Sequence, residues 1–486
     1  SEKFWTLRKE FMAKYGVRYE GVDEAAPSEP AALKAQMHAN FAVAMSVLRS
    51  RPEVADYLTD RLDELAAMVP DSIPGAYLDG GRSARVFDDS RIYDFEHYPE
   101  SLYKKPGEKA PNRAALGAWG AYVNTIAKTD YDRPLFLACS ADLAASTNIA
   151  GFADGWDGAE GWGWYDRERS PRGALLPQEI TEFANAGLCV GAATVNLAEN
   201  PFEHFDGYWT ACSTYGSFSY LKYGAMRLFS QLAQDCDLKV GKVLWVAGHS
   251  GPETAEDSRT HFGIFSTGVT QLFPDGHVID LHPWEYNEVP VVLGAALRHS
   301  APIVALHLTR PPVTIPDREA LGIDHHFLAA RGAYVLRKPD PSKPRTGTVF
   351  VQGTCSTANV VEILPELDRA GLNVKIVAAI SPQLFALQPD EYRHGVVTTA
   401  DRWDSMVVSN RSRRVMGDWM TNPLSSEYSL TSDRDDRWRT GGTVDEVIAE
   451  AGLDPDSLLQ GIERFVRDRD RRAERLRAGL DGTFGR

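Results

Sequence analysis

The sequence predicts an α/β protein, with a helical arm over residues 1–112 followed by two domains of alternating helices and strands. Three observations predict it. Residues 1–68 carry apolar positions at helical spacing with no strand-like run between them. From Arg113 onward, helix-like stretches alternate with short apolar, β-branched runs, the pattern of a mostly parallel sheet. A proline-rich linker, 339–344 (PDPSKP), then precedes a strand–loop–helix–strand unit that opens a second α/β domain.

The elements follow in order. Glu2–Tyr15, 29–49 and 52–68 read as helices, and 70–111 is turn-rich, with Asp79-Gly80-Gly81 inside it. A helix over 114–128 (AALGAWGAYVNTIAK) leads to a strand at 134–139 (PLFLAC) and a Gly/Trp-rich loop at 151–164. A helix at 179–193 comes next, then strands at 242–248 (KVLWVAG) and 277–283 (HVIDLHP), a helix at 284–298 and a strand at 302–308 (PIVALHL). Beyond the linker, 347–382 supplies the strand–loop–helix–strand unit, and 467–486 is an Arg/Asp-rich helix and tail with a solvated face. The domain boundaries are 1–112, 113–338, 339–470 and a charged tail at 471–486.

Lys and Arg total 52 against 67 Asp and Glu, a net charge of −15 over 486 residues. A field of that sign repels phosphate backbones and argues against a nucleic-acid partner. No apolar run approaches the ~18–20 residues that cross a bilayer, and 289–297 (VPVVLGAAL) is too short. The first ten residues, SEKFWTLRKE, hold no apolar signal core. Five cysteines form no CxxC pair and are odd in number, which fits reduced thiols in a cytoplasmic enzyme.

Four constellations could carry chemistry. Gly248-His249-Ser250-Gly251-Pro252 follows a strand as a nucleophile elbow does, but Pro252 stands where the elbow needs glycine. Asp280 and His282 would complete its triad. Glu253, Asp257 and His261, each four apart, would share one face of a helix opened by Pro252, a row suited to metal ligands, although HExxH and other zinc spacings are absent. The plainer reading is a helix start whose acids favour the positive end of the dipole. Glu182 opens an apolar, small-residue helix where desolvation would keep its carboxyl protonated; capping at a helix end explains it equally. Tyr208, Trp209, Tyr215, Phe218, Tyr220 and Tyr223 form an aromatic cluster that serves either as core or as a flat wall for a cofactor ring.

Together and in this order, the pieces resemble the transketolase family. CSADLAAST (139–147) resembles its GSADLAPS segment, and ITEFANAG (180–187) the REFGM-type segment bearing the catalytic glutamate. TYGSFSYLKYGAMRLF (214–229) is similar to the aromatic TFxxFxxYxRxAxR stretch. HSGPETAEDSRTH (249–261) resembles HDSIGLGEDGPTH, and LHLTR (306–310) the strand ending in the LxxSR arginine. The resemblance implies a thiamine-binding, doubly wound pyrimidine domain at 113–338 and a transketolase carboxy-terminal α/β domain after it. Ser250 replaces the family's first Asp after the histidine, Tyr215 stands for Phe, Leu221 for Tyr, and the 151–172 loop is longer and Trp-rich.

The same resemblance implies a function. Glu182 would donate a hydrogen bond to the aminopyrimidine of thiamine diphosphate, Tyr215 and Phe218 would stack on that ring, and Asp142 and Leu143 would line the thiamine side. His261 and His249 would serve catalysis at the ketol oxygens and the pocket mouth, with Asp257 on the hydroxyl beside the reacting carbon. Arg113, Ser146, His249 and Arg310 match the family's phosphate-binding group, which a sulfonate or other anionic tail would satisfy equally. The family's GDG, which with a downstream Asn holds Mg2+ (or Ca2+) and the diphosphate, does not occur in this sequence. The resemblance therefore implies one subunit of a split transketolase, in an α2β2 assembly with a separate pyrophosphate-binding subunit. A 2-oxoacid decarboxylating E1-type component and a non-catalytic subunit on the same fold are the alternatives.

Overall fold

The computed structural model describes residues 2–68, 84–141, 143–154, 163–170, 173–176, 180–256, 258–261 and 263–484. The chain divides into two compact units, Ser1–Gly75 and Ala76–Arg486.

The first unit holds helices α1 (Glu2–Tyr15), α2 (Pro30–Arg49) and α3 (Pro52–Ala67). Prolines open α2 and α3, where the first N–H has no helical partner to lose. Asn40, buried on α2, bonds both ways to the backbone of Glu20, at 2.6 and 3.0 Å. α3 buries none of its residues, and Tyr57, Leu58, Leu62 and Leu65 stand exposed along it.

In the second unit, short 3-10 turns between Ala84 and Leu102 lead to α4 (Asn112–Tyr131). A five-stranded sheet follows: β1 (Phe136–Ser140), β2 (Trp209–Thr214), β3 (Val243–Ala247), β4 (Val278–Leu281) and β5 (Ile303–His307). Its strands are all parallel, in the order β1-β2-β3-β5-β4. Alternation along the strands sorts the side chains. Leu244 and Val246 pack with α4 and with α7 (Glu288–Leu297), while Val243 and Trp245 pack with α5 (Glu182–Thr194) and α6 (Tyr223–Asp235). Helices therefore cover both faces, as the predicted doubly wound domain requires.

All ten residues of α7 are buried, so the apolar run at 289–297 is a core helix. Among the described residues no helix is long and apolar enough to cross a membrane. At the head of α7, Arg318 reaches Glu285 and Glu288 at 2.9 and 3.0 Å. Burial nevertheless pushes the Glu288 carboxyl up to about 7.

The second sheet comprises β6 (Ala333–Arg337), β7 (Thr348–Gln352), β8 (Lys375–Ala379), β9 (Ser405–Ser409) and β10 (Leu430–Thr431), in the order β10-β9-β7-β8-β6. Only β6 runs antiparallel. The strand–helix–strand unit predicted beyond the linker is β7, α8 (Thr354–Glu362), a second short helix and β8. One continuous core joins the α4 and α7 face of the first sheet to Val349, Val351, Ile376 and Ala378 of the second.

Candidate functional site

The carboxyl ends of β1, β2, β3 and β5 converge on one edge of the first sheet, the edge where parallel α/β sheets carry their ligands. Glu182 is the first residue of α5, where the positive end of the helix favours a carboxylate. It is 8% exposed, and the hydroxyl of Thr214, the last residue of β2, donates to its Oε1 at 3.0 Å.

Tyr215 follows immediately and is buried. Its ring lies 4.2 Å from His249 at 30° and meets His261 edge-on at 4.9 Å; Phe218, half-buried, meets His261 edge-on at 5.5 Å. Two aromatic rings thus fix one imidazole, whose Nδ1 sits 3.1 Å from the Thr260 hydroxyl. The Tyr215 hydroxyl pairs with Ser146 Oγ at 3.1 Å. Tyr215 therefore forms the wall between the glutamate and an adjoining basic cluster.

That cluster begins at the start of α4. Arg113 donates from one nitrogen to the Ser146 carbonyl and to His249 Nε2. Accepting there requires His249 to carry a bare Nε2, and its surroundings enforce it: burial first, then Arg113 and Arg310, push its pKa down to about 3. Burial and the neighbouring Arg310 also lower Arg113. Two guanidinium charges beside a neutral imidazole and a hydroxyl form a donor set matched to an anion.

Asn112, which sequence reasoning passed over, anchors this group. It donates to the Pro283 carbonyl at 2.9 Å and to Thr354 Oγ1 at 3.0 Å, and accepts from the Thr309 N–H at 2.9 Å. It thereby ties α4 to the strand end that carries Arg310 and to the second sheet. Thr214 was passed over as well; its signal was its place directly before Tyr215 in the aromatic motif.

Of the predicted residues, Glu182, Arg113, Ser146, Tyr215, Phe218, His249, His261 and Arg310 gather along this edge. Leu143 follows β1 there and is 68% exposed. Asp142 and Asp257 lie outside the described residues, as does much of the Trp-rich loop.

Two other readings fail. Pro252 opens a 3-10 turn that ends at Glu256, not an α-helix, and Glu253 is buried against Asn410 at 2.8 Å, so no metal-ligand row forms with His261. The Ser250 hydroxyl turns back to the Ala247 carbonyl at 3.4 Å, while Asp280 accepts from His282 at 3.2 Å and His307 at 2.6 Å in a separate buried cluster, so there is no nucleophile triad. A cavity of about 1250 Å³ opens at the other end of the strands, beside Trp209 and Lys242, away from this chemistry.

No protein-family model matches the chain. In sequence it is 24% identical over 298 residues to transketolase 1 of Pasteurella multocida, covering 61% of this chain and 39% of that protein. It is 26% identical over 282 residues to the chloroplastic transketolase of Solanum tuberosum, covering 57% and 33%. The chain thus spans about two fifths or less of these relatives. In fold it matches transketolase of Campylobacter jejuni (TM-score 0.57, 16% identity, 95% of this chain and 58% of that one). It also matches the Pichia stipitis enzyme solved with sedoheptulose-7-phosphate (TM-score 0.59, 17% identity, 95% and 59%). In sequence over part of its length, and in fold over nearly all of it, this chain is similar to transketolases.

Proposed function

We propose that the chain is the pyrimidine-binding and carboxy-terminal subunit of a split, thiamine-diphosphate-dependent transketolase, a transferase moving a two-carbon ketol unit from a ketose with an anionic, phosphate-type tail to an aldose. A separate subunit would bring the diphosphate- and Mg2+-binding groups in an α2β2 assembly. The observation that carries this reading is Glu182, buried at the head of α5 and held by Thr214 next to an aromatic wall. A buried acid on the edge that also carries Phe218 and the exposed Leu143 fits an aminopyrimidine ring, which needs one hydrogen-bond donor and apolar flanks.

When bound, thiamine diphosphate supplies the carbanion chemistry. The chain's own residues do the rest. Glu182, at the head of α5, donates a hydrogen bond toward the pyrimidine. Leu143, with Asp142, lines the thiamine side. His261, fixed by Tyr215 and Phe218, hydrogen-bonds the ketol oxygens, and Asp257 takes the neighbouring hydroxyl. Arg113, Ser146, His249 and Arg310 hold the anionic tail, whose charge relieves the repulsion between the two guanidiniums. Exposed Leu143, Ile180, Phe183 and Leu188 near the mouth support a second chain covering it. Five free cysteines suit the cytoplasm.

The test mixes the chain with its partner, Mg2+ and thiamine diphosphate. Glu182→Ala should lower ketol transfer by about a hundredfold or more with the fold kept; full activity rejects the proposal. Turnover of pyruvate in place of a ketose phosphate would favour the decarboxylating E1-type alternative, and an inert parent complex the non-catalytic one.

A further inference from the structure

Beneath the site, on the α5 and α6 face of the first sheet, three thiols meet. Cys139 of β1 and Cys212 of β2 are register partners on adjacent parallel strands, so their side chains leave the same face. Cys189, two turns along α5 from Glu182, comes down between them. All three are buried, and their sulfurs lie within 4.8 Å of one another, with Cys139 and Cys189 at 3.3 Å.

We infer that Cys139, Cys189 and Cys212 form a binding site for a soft, thiophilic divalent metal ion. Zinc–thiolate bonds of about 2.3 Å place three ligand sulfurs about 4 Å apart in a trigonal set, within the spread these sulfurs already show. Without metal, the thiol protons have weak outlets: Cys139 to the Asn185 carbonyl and Cys189 to the Ala211 carbonyl, both at 3.6 Å.

Lys222 separates this cluster from ordinary core cysteines. It is fully buried, its ammonium donates to the Cys212 carbonyl at 2.8 Å, and among the described residues it meets no carboxylate. A buried ammonium needs an anion nearby, and among the described residues the thiols stand beside it. Three thiolates, one divalent ion and one ammonium are together neutral, as an apolar core demands. The ion would cross-link α5 to β1 and β2. This inference does not rest on the thiamine reading.

The test grows the full chain in medium containing Cd2+, purifies it under reducing conditions and passes it through metal-free buffer. The expected result is about one Cd2+ per chain with a thiolate-to-cadmium charge-transfer band. Cys189→Ala and Cys212→Ala should lower cadmium content about tenfold or more, while Cys236→Ala, outside the cluster, keeps it. Should the two variants fail to fold, X-ray absorption on the parent chain decides, three sulfur ligands being expected and an oxygen or nitrogen shell overturning the site. Absent cadmium in a chain with reduced thiols overturns it, as does an intact mass two hydrogens light, which would mean a disulfide in its place.

Discussion

The hydroxyl of Thr214 and the carboxyl of Glu182 meet at 3.0 Å across the gap between the end of β2 and the head of α5. The bond selects one rotamer of the glutamate, because Thr214 is fixed by the sheet ladder and β-branched. Thr214→Val keeps the shape and removes the donor. A hydrogen bond of about 1 kcal/mol predicts a five- to tenfold loss in ketol transfer and in thiamine diphosphate affinity, with the thermal midpoint little changed. Steady-state kinetics of the reconstituted complex and a cofactor titration measure both; an unchanged rate would show that Glu182 is positioned by something else.

Arg310 should separate binding from chemistry. It crowds Arg113 with a like charge, a strain that an anion would remove. Arg310→Leu should raise KM for a ketose phosphate about tenfold to a hundredfold, the value of a charge-assisted hydrogen bond, and leave kcat nearly intact. An unphosphorylated ketose should show no change in KM. Equal effects on both substrates would move Arg310 out of the anion site.

Much of this was legible beforehand. Strands β1, β3, β4 and β5 read directly from runs such as VLWVA and IVALH, since strands buried on both faces are nearly continuous apolar segments. The sheet's second strand was not. Trp209–Thr214 reads WTACST, small and hydroxyl-rich, because its residues must leave room for α5 and supply polar groups to the site. Strand β6, Ala333–Arg337, was lost for another reason: it is a short antiparallel edge strand beyond Gly332, whose φ of 80° turns the chain into it. Site residues announced themselves through motif spacing, whereas their holders did not. Asn112 and Thr214 act through contacts formed only once distant segments meet, 242 residues apart in the bond from Asn112 to Thr354.

Arg133 tests the packing at the other end of the sheet. Its guanidinium is fully buried, bonds Asp206 at 2.8 Å, donates to the Gly207 carbonyl and lies 4.8 Å over the Tyr208 ring. Arg133→Met deprives a buried carboxylate of that charge and should cost about 3–5 kcal/mol in urea unfolding. Adding Asp206→Leu should recover most of the loss, because two apolar groups replace an ion pair with little penalty. A single variant as stable as the parent would mean the pair is idle.

Acid should weaken the fold through its buried histidines, His249 and His282 among them. His249 is held near 3 by burial and the two arginines, and His282 near 4, chiefly by burial. Below the ordinary histidine value of about 6.5 the unfolded chain takes up a proton at each position and the folded chain does not, so stability falls as pH falls. Both contribute down to about pH 4, His249 alone to about pH 3, each by at most ~1.4 kcal/mol per pH unit. Glu288, raised to about 7, works in the opposite sense: between about 4.5 and 7 it keeps its proton in the fold, and stability falls as pH rises. A comparison at fixed pH therefore isolates the histidine. His249→Gln, which preserves an acceptor for Arg113, should show a stability–pH slope between pH 4 and 6 shallower by about 1 kcal/mol per unit. Parallel slopes for variant and parent would show that His249 protonates in place, and the bare Nε2 that receives Arg113 would be lost with it.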